Sequence, residues 1–178
     1  MSPGDVSATD TQVHRATDIS FGAPTLADGG ALWLLARDSQ TLDVNSRYSY
    51  VLWCRDFAAT SVVARDESGP AGFITGYLRP GSTDTLFVWQ VAVAQRRRRQ
   101  GLARRMLDYL VANSAPHGVR HVEATVTPDN VPSTRLFESF AAANGARLTR
   151  GELFSEEMLG DGHAAEVLFR IGPLTPSA

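Results

Sequence analysis

The spacing of hydrophobic and polar residues changes along the chain, and its clearest change lies between residues 87 and 113. Residues 87–93 form an almost uninterrupted apolar and β-branched run, which is typical of a strand buried on both faces. Further on, apolar side chains recur at helical spacing, at Ala103, Met106, Leu107, Leu110 and Val111. The two spacings predict a strand, a short loop and a helix over 103–113.

Three other helices are predicted from capping residues and apolar stripes. Thr25 and Asp28 have the spacing of a capping box at the start of the first helix. Either Asn45 or Ser46 can cap a second helix over 46–56. Pro132 suits the first turn of the last helix, because its missing N–H loses no hydrogen bond there, and Gly145 ends that helix.

The remaining apolar runs predict strands, and the turn residues Gly69 and Pro70 join two of them as a hairpin. An acidic loop over 155–163 separates the last two strands. The predicted strands cover 13–16, 60–64, 71–78, 121–127, 146–154 and 164–171. The resulting order of elements is β-α-α-β-β-β-α-β-α-β-β.

Length and composition favour one globular domain, since 178 residues with 43% hydrophobic content supply a full core. We expect a flexible tail at 1–12, a single domain over 13–172 and a short tail at 173–178. The net charge of -2 argues against general nucleic-acid binding. The sequence predicts a soluble cytoplasmic protein, because it has no membrane-spanning apolar run, no leader pattern and a single cysteine. We expect that cysteine, Cys54, to be buried and inert.

Four consecutive arginines, Arg96–Arg99, lie between the long strand and the next helix, followed by Gly101. The free N–H groups of a helix N-terminus bind anions, glycine lets a phosphate approach the backbone, and arginines attract a polyanion. This pattern predicts a local anion site. It fits an ordinary turn with a solvated basic face equally well.

Two motifs resemble the signatures of the GNAT acetyltransferase superfamily. The first, over 98–103, matches [Q/R]-x-x-G-x-[G/A] after an apolar strand, and the second begins at Asn130 and runs through Leu136-Phe137 to Phe140. The resemblance implies an α/β (α+β) fold with a mixed central sheet, splayed between strands 4 and 5, and helices on both faces. It also implies acetyl-CoA as co-substrate and no metal.

The GNAT resemblance carries over a set of cofactor-binding residues: Val91, Ala92, Val93, Arg98, Arg99, Gln100, Gly101, Ala103, Arg104 and Asn130. Two departures matter. Phe137 stands where many GNAT enzymes have a tyrosine that protonates the leaving thiolate, and Arg99 stands where the loop often has glycine. The usual Gly-Phe after the second helix is also altered, to Ala143-Asn144-Gly145.

Within the superfamily the chain is similar to the diaminobutyrate acetyltransferases of ectoine biosynthesis. The similarity covers about 14–171 and is strongest at 84–93, which contains Phe-Val-Trp-Gln. It implies transfer of acetyl to the 4-amino group of L-2,4-diaminobutyrate, a homodimer, and neither nucleic-acid nor membrane partners. The implied substrate-binding residues are Asp43, Tyr48, Trp89, Thr127, Asn130, His163 and Glu166.

The catalytic candidates follow from the need to deprotonate the amine. An alkyl ammonium has a pKa of about 10.4, so a base must take a proton before or during attack. Glu166 and His163 are the first candidates and Glu123 the next, while a backbone N–H near Val91 would meet the oxyanion. Plainer roles stay open: Asp43 as a capping acid, Trp89 as core filler, and the others as solvated surface residues.

Two other functions remain open from the sequence. One is acetylation of another small amine, a lysine or a protein N-terminus, for which the pocket would be an open groove. The other is a non-catalytic acetyl-CoA sensor, which the absence of a tyrosine at Phe137 keeps in view. Turnover separates the two, because a sensor binds the cofactor but releases no CoA with any amine.

Overall fold

A computed structural model describes residues 19–160 and 162–175. The strand predicted at 13–16, the tail at 1–12 and the last three residues of the C-terminal tail lie outside the described residues. The domain boundaries predicted from the sequence therefore stay a prediction.

The described residues form the four predicted helices and the later six strands in the predicted order, and they add a short strand at Ser20–Gly22 and one short helix. The strands are β1 (Ser20–Gly22), β2 (Val62–Asp66), β3 (Gly69–Arg79), β4 (Ser82–Val93), β5 (His121–Val126), β6 (Leu148–Phe154) and β7 (Glu166–Ile171). The α-helices are α1 (Gly29–Ser39), α2 (Arg47–Asp56), α3 (Leu102–Ser114), α4 (Val131–Ala143) and α5 (Glu156–Leu159). Within this part of the chain, no helix has the length and apolar character needed to cross a membrane.

All seven strands form one mixed sheet in the order β1-β2-β3-β4-β5-β7-β6. Every pairing is antiparallel except that of β4 with β5, which is parallel and ends where Val88 lies opposite Ala124. Beyond that point β4 continues to Val93 and β5 to Val126, but within the described residues the two strands form no further residue pairs. The predicted splay between the fourth and fifth strands is confirmed.

A β-bulge in β4 lies at the start of this splay. Thr75 of β3 pairs with Gln90 and Gly76 pairs with Val88, so Trp89 is an extra residue in β4. A bulge redirects side chains and bends the strand. The expectation that both faces of residues 87–93 are buried is therefore wrong at Trp89, which is 36% exposed.

Helices cover both faces of the sheet, as predicted. Successive strand residues point to opposite faces, so adjacent residues of one strand join different cores. On one face, α1 and α2 pack Leu32 and Tyr50 against Phe73. On the other face, α3 packs Met106 and its neighbours against β2, β3 and β4, and α4, which carries Phe140, packs against α3 and β7.

Local capping explains where the elements differ from expectation. The capping box forms, since the Thr25 N–H donates to the Asp28 carboxylate at 2.6 Å, but it closes a 3₁₀ turn over Leu26–Asp28 before α1 begins at Gly29. The acidic loop contains the short α5 because the Ser155 hydroxyl accepts from Met158 N–H and caps it. Ser46, rather than Asn45, caps α2.

Gly76 offers a test of the packing at the bulge. A Cβ at this position would lie 2.8 Å from the Phe87 carbonyl oxygen and 2.9 Å from that of Thr60, and both are backbone atoms. We expect Gly76→Ala to lower the free energy of unfolding by about 1–3 kcal/mol, measured by urea denaturation. Gly151→Ala in β6, where a Cβ meets nothing within 4 Å, is the control. Equal stability of the two variants would contradict this packing.

Candidate active site

A cavity of about 690 Å3 lies where β4 and β5 diverge. Its walls come from the end of β4, the arginine loop, the first turn of α3, the first half of α4 and the end of α1. The lining residues are Ser39, Thr41, Leu42, Val91, Ala92, Val93, Arg97, Arg98, Arg99, Gly101, Leu102, Ala103, Arg104, Asn130, Pro132, Ser133, Arg135, Leu136 and Ser139. The volume suits a cofactor-sized ligand.

The backbone of β4 supplies free polar groups to this cavity. Ala94 N–H donates to the Ala71 carbonyl oxygen at 2.8 Å, on the β3 side. Backbone groups alternate along a strand, so the N–H groups of Val93 and Val91 point to the opposite edge, where β5 has diverged. The splay thus leaves backbone donors unpaired by β5 beside an open cavity.

The first turn of α3 supplies a second set of donors. Arg105 N–H makes the first bond of the helix, to the Gly101 carbonyl oxygen at 3.1 Å, so the preceding N–H groups have no acceptor within the helix. Arg99 and Gly101 have φ values of 61° and 70°, and this left-handed backbone turns the loop into α3. The turn explains why related loops favour glycine at the position of Arg99.

The arginines of the loop have different partners. Arg96 and Arg97 form ion pairs with the buried carboxylate of Asp66, at the end of β2, at 3.1 and 2.8 Å. The hydrogen bond from Arg96 has the largest effect on the Asp66 carboxyl; burial opposes it and Arg97 adds to it, so the pKa is about 2. Arg98 donates to the carbonyl oxygens of Val93 at 3.3 Å and Ser39 at 3.4 Å. Asp66 therefore fastens the loop to the sheet.

The cavity brings together the residues predicted to bind the cofactor, with the exception of Gln100, whose amide donates to the Arg96 carbonyl oxygen at 3.0 Å. The sequence reasoning missed the walls formed by α1 and α4. In α4, Pro132, Leu136 and Ser139 recur at helical spacing and line the cavity together. That spacing was a usable signal, whereas nothing local indicates that the end of α1 lies opposite them.

A second group of side chains meets at the start of β7. His163 Nδ1 lies 4.0 Å from Asp43 Oδ2, although the two residues are 120 positions apart. Glu166 Oε2 is buried and has no hydrogen-bond partner within the described residues. Burial raises the pKa of the Glu166 carboxyl, a hydrogen bond from the Thr125 hydroxyl opposes the rise, and Asp43 adds to it. The structure thus places three of the predicted site residues together.

Aromatic residues form a cluster around the bulged residue Trp89. The exposed face of Trp89 is available because its other face stacks on Trp53, with ring centroids 4.2 Å apart. Trp53 in turn packs against Phe57 and Tyr77. Tyr48, on α2, is 72% exposed. Trp53 supports Trp89 from a helix 36 positions earlier, a contact that sequence spacing does not reveal.

Glu123 has a different environment. It is 2% exposed, and its carboxylate pairs with Arg79 at 3.1 Å and with Arg170. Both carboxylate oxygens are thus engaged by guanidinium groups, which favours a structural role over that of a base. The catalytic role of Glu123 stays a prediction.

Three other predicted positions have clear structural roles. Asn130 lines the cavity and caps α4, since its Oδ1 accepts from Ser133 N–H at 3.1 Å. Thr127, half-buried after β5, accepts from Asn130 N–H through its carbonyl oxygen. Phe137 is 2% exposed and packs against Phe169, so it lies in the core and not in the cavity lining. No thiolate-protonating side chain stands at that position.

Comparison with known proteins gives a consistent picture. The profile of the Acetyltransferase (GNAT) family matches residues 31–142. The chain is 56% identical over 161 residues to an L-2,4-diaminobutyric acid acetyltransferase of Streptomyces coelicolor, covering 89% of this chain and 95% of that protein. It is 54% identical over 166 residues to the protein of the same name from Streptomyces anulatus, covering 89% and 92%.

Among solved structures, the fold is similar to that of the diaminobutyrate acetyltransferase EctA from Paenibacillus lautus, in complex with L-2,4-diaminobutyric acid and coenzyme A. The TM-score is 0.86 at 41% identity, over 92% of this chain and 99% of that one. The similarity therefore extends over nearly the whole of both chains.

The Asp66 anchor gives a prediction for cofactor binding. We expect Asp66→Asn to weaken CoA binding by about tenfold in calorimetry, because Arg96 and Arg97 lose the charge that holds the loop. Asp56→Asn, which breaks an exposed ion pair with Arg55 on α2, is the control and should bind CoA normally. Unchanged affinity of Asp66→Asn would show that the loop does not need this anchor.

The same anchor predicts how stability depends on pH. The folded-state pKa of Asp66, about 2, lies below its ordinary value of 3.8, so the carboxylate stabilises the fold above pH 3.8. That contribution is lost as the pH falls toward 2. The difference in unfolding free energy between the wild type and Asp66→Asn should therefore shrink between pH 4 and pH 2. A difference that stays constant over this range would rule out the anchor as its source.

Proposed function

Since this chain belongs to the acetyltransferase (GNAT) family and, within it, to the L-2,4-diaminobutyric acid acetyltransferases, we propose that it transfers acetyl from acetyl-CoA to the 4-amino group of L-2,4-diaminobutyrate. The product is N-γ-acetyl-L-2,4-diaminobutyrate, a precursor of the compatible solute ectoine. One observation carries the proposal: the Glu166 carboxylate, whose buried Oε2 has no hydrogen-bond partner within the described residues, lies close enough to Asp43 and His163 to feel their charges.

Acetyl-CoA occupies the cavity at the splay. Its pyrophosphate is bound by the free N–H groups at the start of α3, and its pantetheine arm lies along the β4 edge that β5 leaves open. The Val91 N–H then donates to the thioester oxygen. Direct attack of an amine on a thioester uses no metal.

The diamino acid occupies the space between Trp89, Asp43 and Glu166. Its two ammonium groups require more than one acid, because a buried cation must be paired. Asp43 is mostly exposed and holds one amino group at the mouth, while Glu166 receives the other inside. Trp89 supplies an aromatic face beside the cation.

Glu166 is the proposed base. Its raised pKa brings the carboxyl closer to the operating pH, which is where a general base works best. It takes one proton from the 4-ammonium, the neutral nitrogen attacks the thioester carbon, and the oxyanion accepts the Val91 N–H. Collapse of this intermediate expels the CoA thiolate. The nitrogen loses its second proton as the amide forms, and water carries this proton to the thiolate, because Phe137 has no proton to give.

We also propose that the protein is a cytoplasmic homodimer that serves osmoadaptation. The support for a dimer is a run of exposed apolar side chains on β6 and α5: Leu153, Phe154, Met158 and Leu159. Clustered apolar exposure is typical of protein–protein contacts. Sedimentation equilibrium measures the mass of the assembly, and a monomer would contradict this part of the proposal.

The substrate is tested by release of CoA thiol from acetyl-CoA with L-2,4-diaminobutyrate, ornithine, lysine, polyamines and a peptide pool. We expect kcat/KM for L-2,4-diaminobutyrate to exceed that for lysine at least about 100-fold, because the longer side chain displaces one amino group from its acid. Preference for peptides or polyamines would contradict the proposed substrate. Binding of acetyl-CoA without turnover of any amine would indicate a sensor.

The role of Glu166 is tested by Glu166→Gln. We expect kcat to fall by about 10²- to 10⁴-fold, as is usual when a general base is lost. In the wild type, activity should fall as the pH drops through the raised pKa of Glu166, and the variant should lose this acidic limb. Glu152→Gln, on the exposed surface of β6, is the control. A variant with normal kcat and an unchanged pH profile would exclude Glu166 as the base.

A further inference from the structure

We propose that Gln90 is a positioning residue that sets the place of Asp43 relative to the bulge of β4, and thereby determines how the amine substrate is held. The inference rests on the proposed function and deepens it. It concerns a side chain that lies inside the protein and contacts no reacting atom.

Gln90 joins two parts of the site. Its Nε2 donates to the Asp43 main-chain carbonyl oxygen at 2.9 Å, across 47 positions of sequence. Its Oε1 accepts from the Tyr50 hydroxyl at 2.9 Å, and both side chains are buried, at 5% and 1% exposure. Gln90 follows Trp89 directly, at the bulge where β4 stops pairing with β5.

The loop over 40–46 that carries Asp43 has two other attachments next to Asp43. Leu42 packs against the core between the sheet and helices α1 and α2, and Trp33 Nε1, on α1, donates to the Asn45 carbonyl oxygen at 3.1 Å. Asp43 itself points outward, with 84% of its side chain exposed. The position of its carboxylate therefore depends on its backbone, which Gln90 holds at one atom.

A primary amide meets the chemical requirement at this position. It must accept from a tyrosine hydroxyl and donate to a carbonyl oxygen at the same time, and glutamine does both. A carboxylate would accept from Tyr50 but repel the Asp43 carbonyl oxygen. An apolar side chain would remove the partner of the buried Tyr50 hydroxyl and would release the Asp43 carbonyl oxygen from β4.

The hydrogen bond from Gln90 to Asp43 fixes the distance between the loop over 40–46 and β4. Trp89 and the Val91 N–H stand on either side of Gln90 in β4, so the strand that receives the thioester also fixes the loop that receives the amine. An error of about 1 Å in placing a reactant costs up to about 100-fold in rate. Gln90 thus holds the loop that binds the substrate's other amino group in a fixed relation to the strand that binds the acetyl donor.

The test compares Gln90→Met and Gln90→Glu with Tyr50→Phe. Both Gln90 variants lose the bond to Asp43, whereas Tyr50→Phe keeps it. We expect the two Gln90 variants to raise KM for the diamino acid at least about tenfold and to lower kcat, with KM for acetyl-CoA changed less than about twofold. Tyr50→Phe should change KM for the amine less than about threefold.

Ser114→Ala is the matched control, because it removes another buried side-chain hydrogen bond, to the Leu110 carbonyl oxygen, at the far end of α3. It should lower stability without altering either KM. If the Gln90 variants raise both KM values together, or match Ser114→Ala in leaving both unchanged, Gln90 is only a structural residue and the inference is overturned.

A second readout does not depend on the substrate. Amide hydrogen exchange of residues 41–46 should be faster in Gln90→Met than in the wild type, and unchanged in Ser114→Ala. If the wild type fails to acetylate the diamino acid but Gln90→Met still loosens this loop, the proposed function fails while the positioning role stands. Unchanged exchange in Gln90→Met would overturn the positioning role whatever the substrate.

Discussion

The site depends on the point at which β4 and β5 stop pairing. The parallel register ends at Val88 opposite Ala124, and the extra residue Trp89 bends β4 there. An unpaired backbone group needs another partner. The N–H groups of Val91 and Val93 therefore face a cavity in the middle of the sheet, where a thioester can bind them. The same bend exposes one face of Trp89 and directs Gln90 inward. The bulge therefore shapes both the cofactor side and the amine side of the proposed site.

The charged side chains around the two parts of the site have opposite signs. The arginine loop attracts an anion. Asp66 ties Arg96 and Arg97 to β2, while Arg97, Arg98 and Arg99 line the cavity beside the helix end. On the acceptor side the groups are acidic, with Asp43 exposed and Glu166 enclosed. In the proposed reaction, a cationic amine and an anionic cofactor therefore approach from regions of opposite sign. Burial raises the pKa of the Glu166 carboxyl, which suits the base role proposed for it.

Features set by neighbours in sequence were predictable, and features set by distant contacts were not. The cap of α2, the end of α4 at Gly145, and the strand, loop and helix around Gly101 follow from local spacing and appear in the structure. The bulge at Trp89 was missed because it exists only against β3. The ion pair of Asp66 with Arg96 and the hydrogen bond of Gln90 to Asp43 each join residues at least 30 positions apart, so no local pattern predicts them.

The position of the acetyl group on the product tests this account most directly. The wild-type enzyme is supplied with [1-¹³C]acetyl-CoA and L-2,4-diaminobutyrate, and NMR identifies the nitrogen that carries the labelled acetyl group. If Asp43 and Glu166 hold the two amino groups as described, the label appears on the 4-amino nitrogen alone, next to the β4 bulge. Label on the 2-amino nitrogen, or on both, would mean that the acceptor site does not orient the substrate in this way.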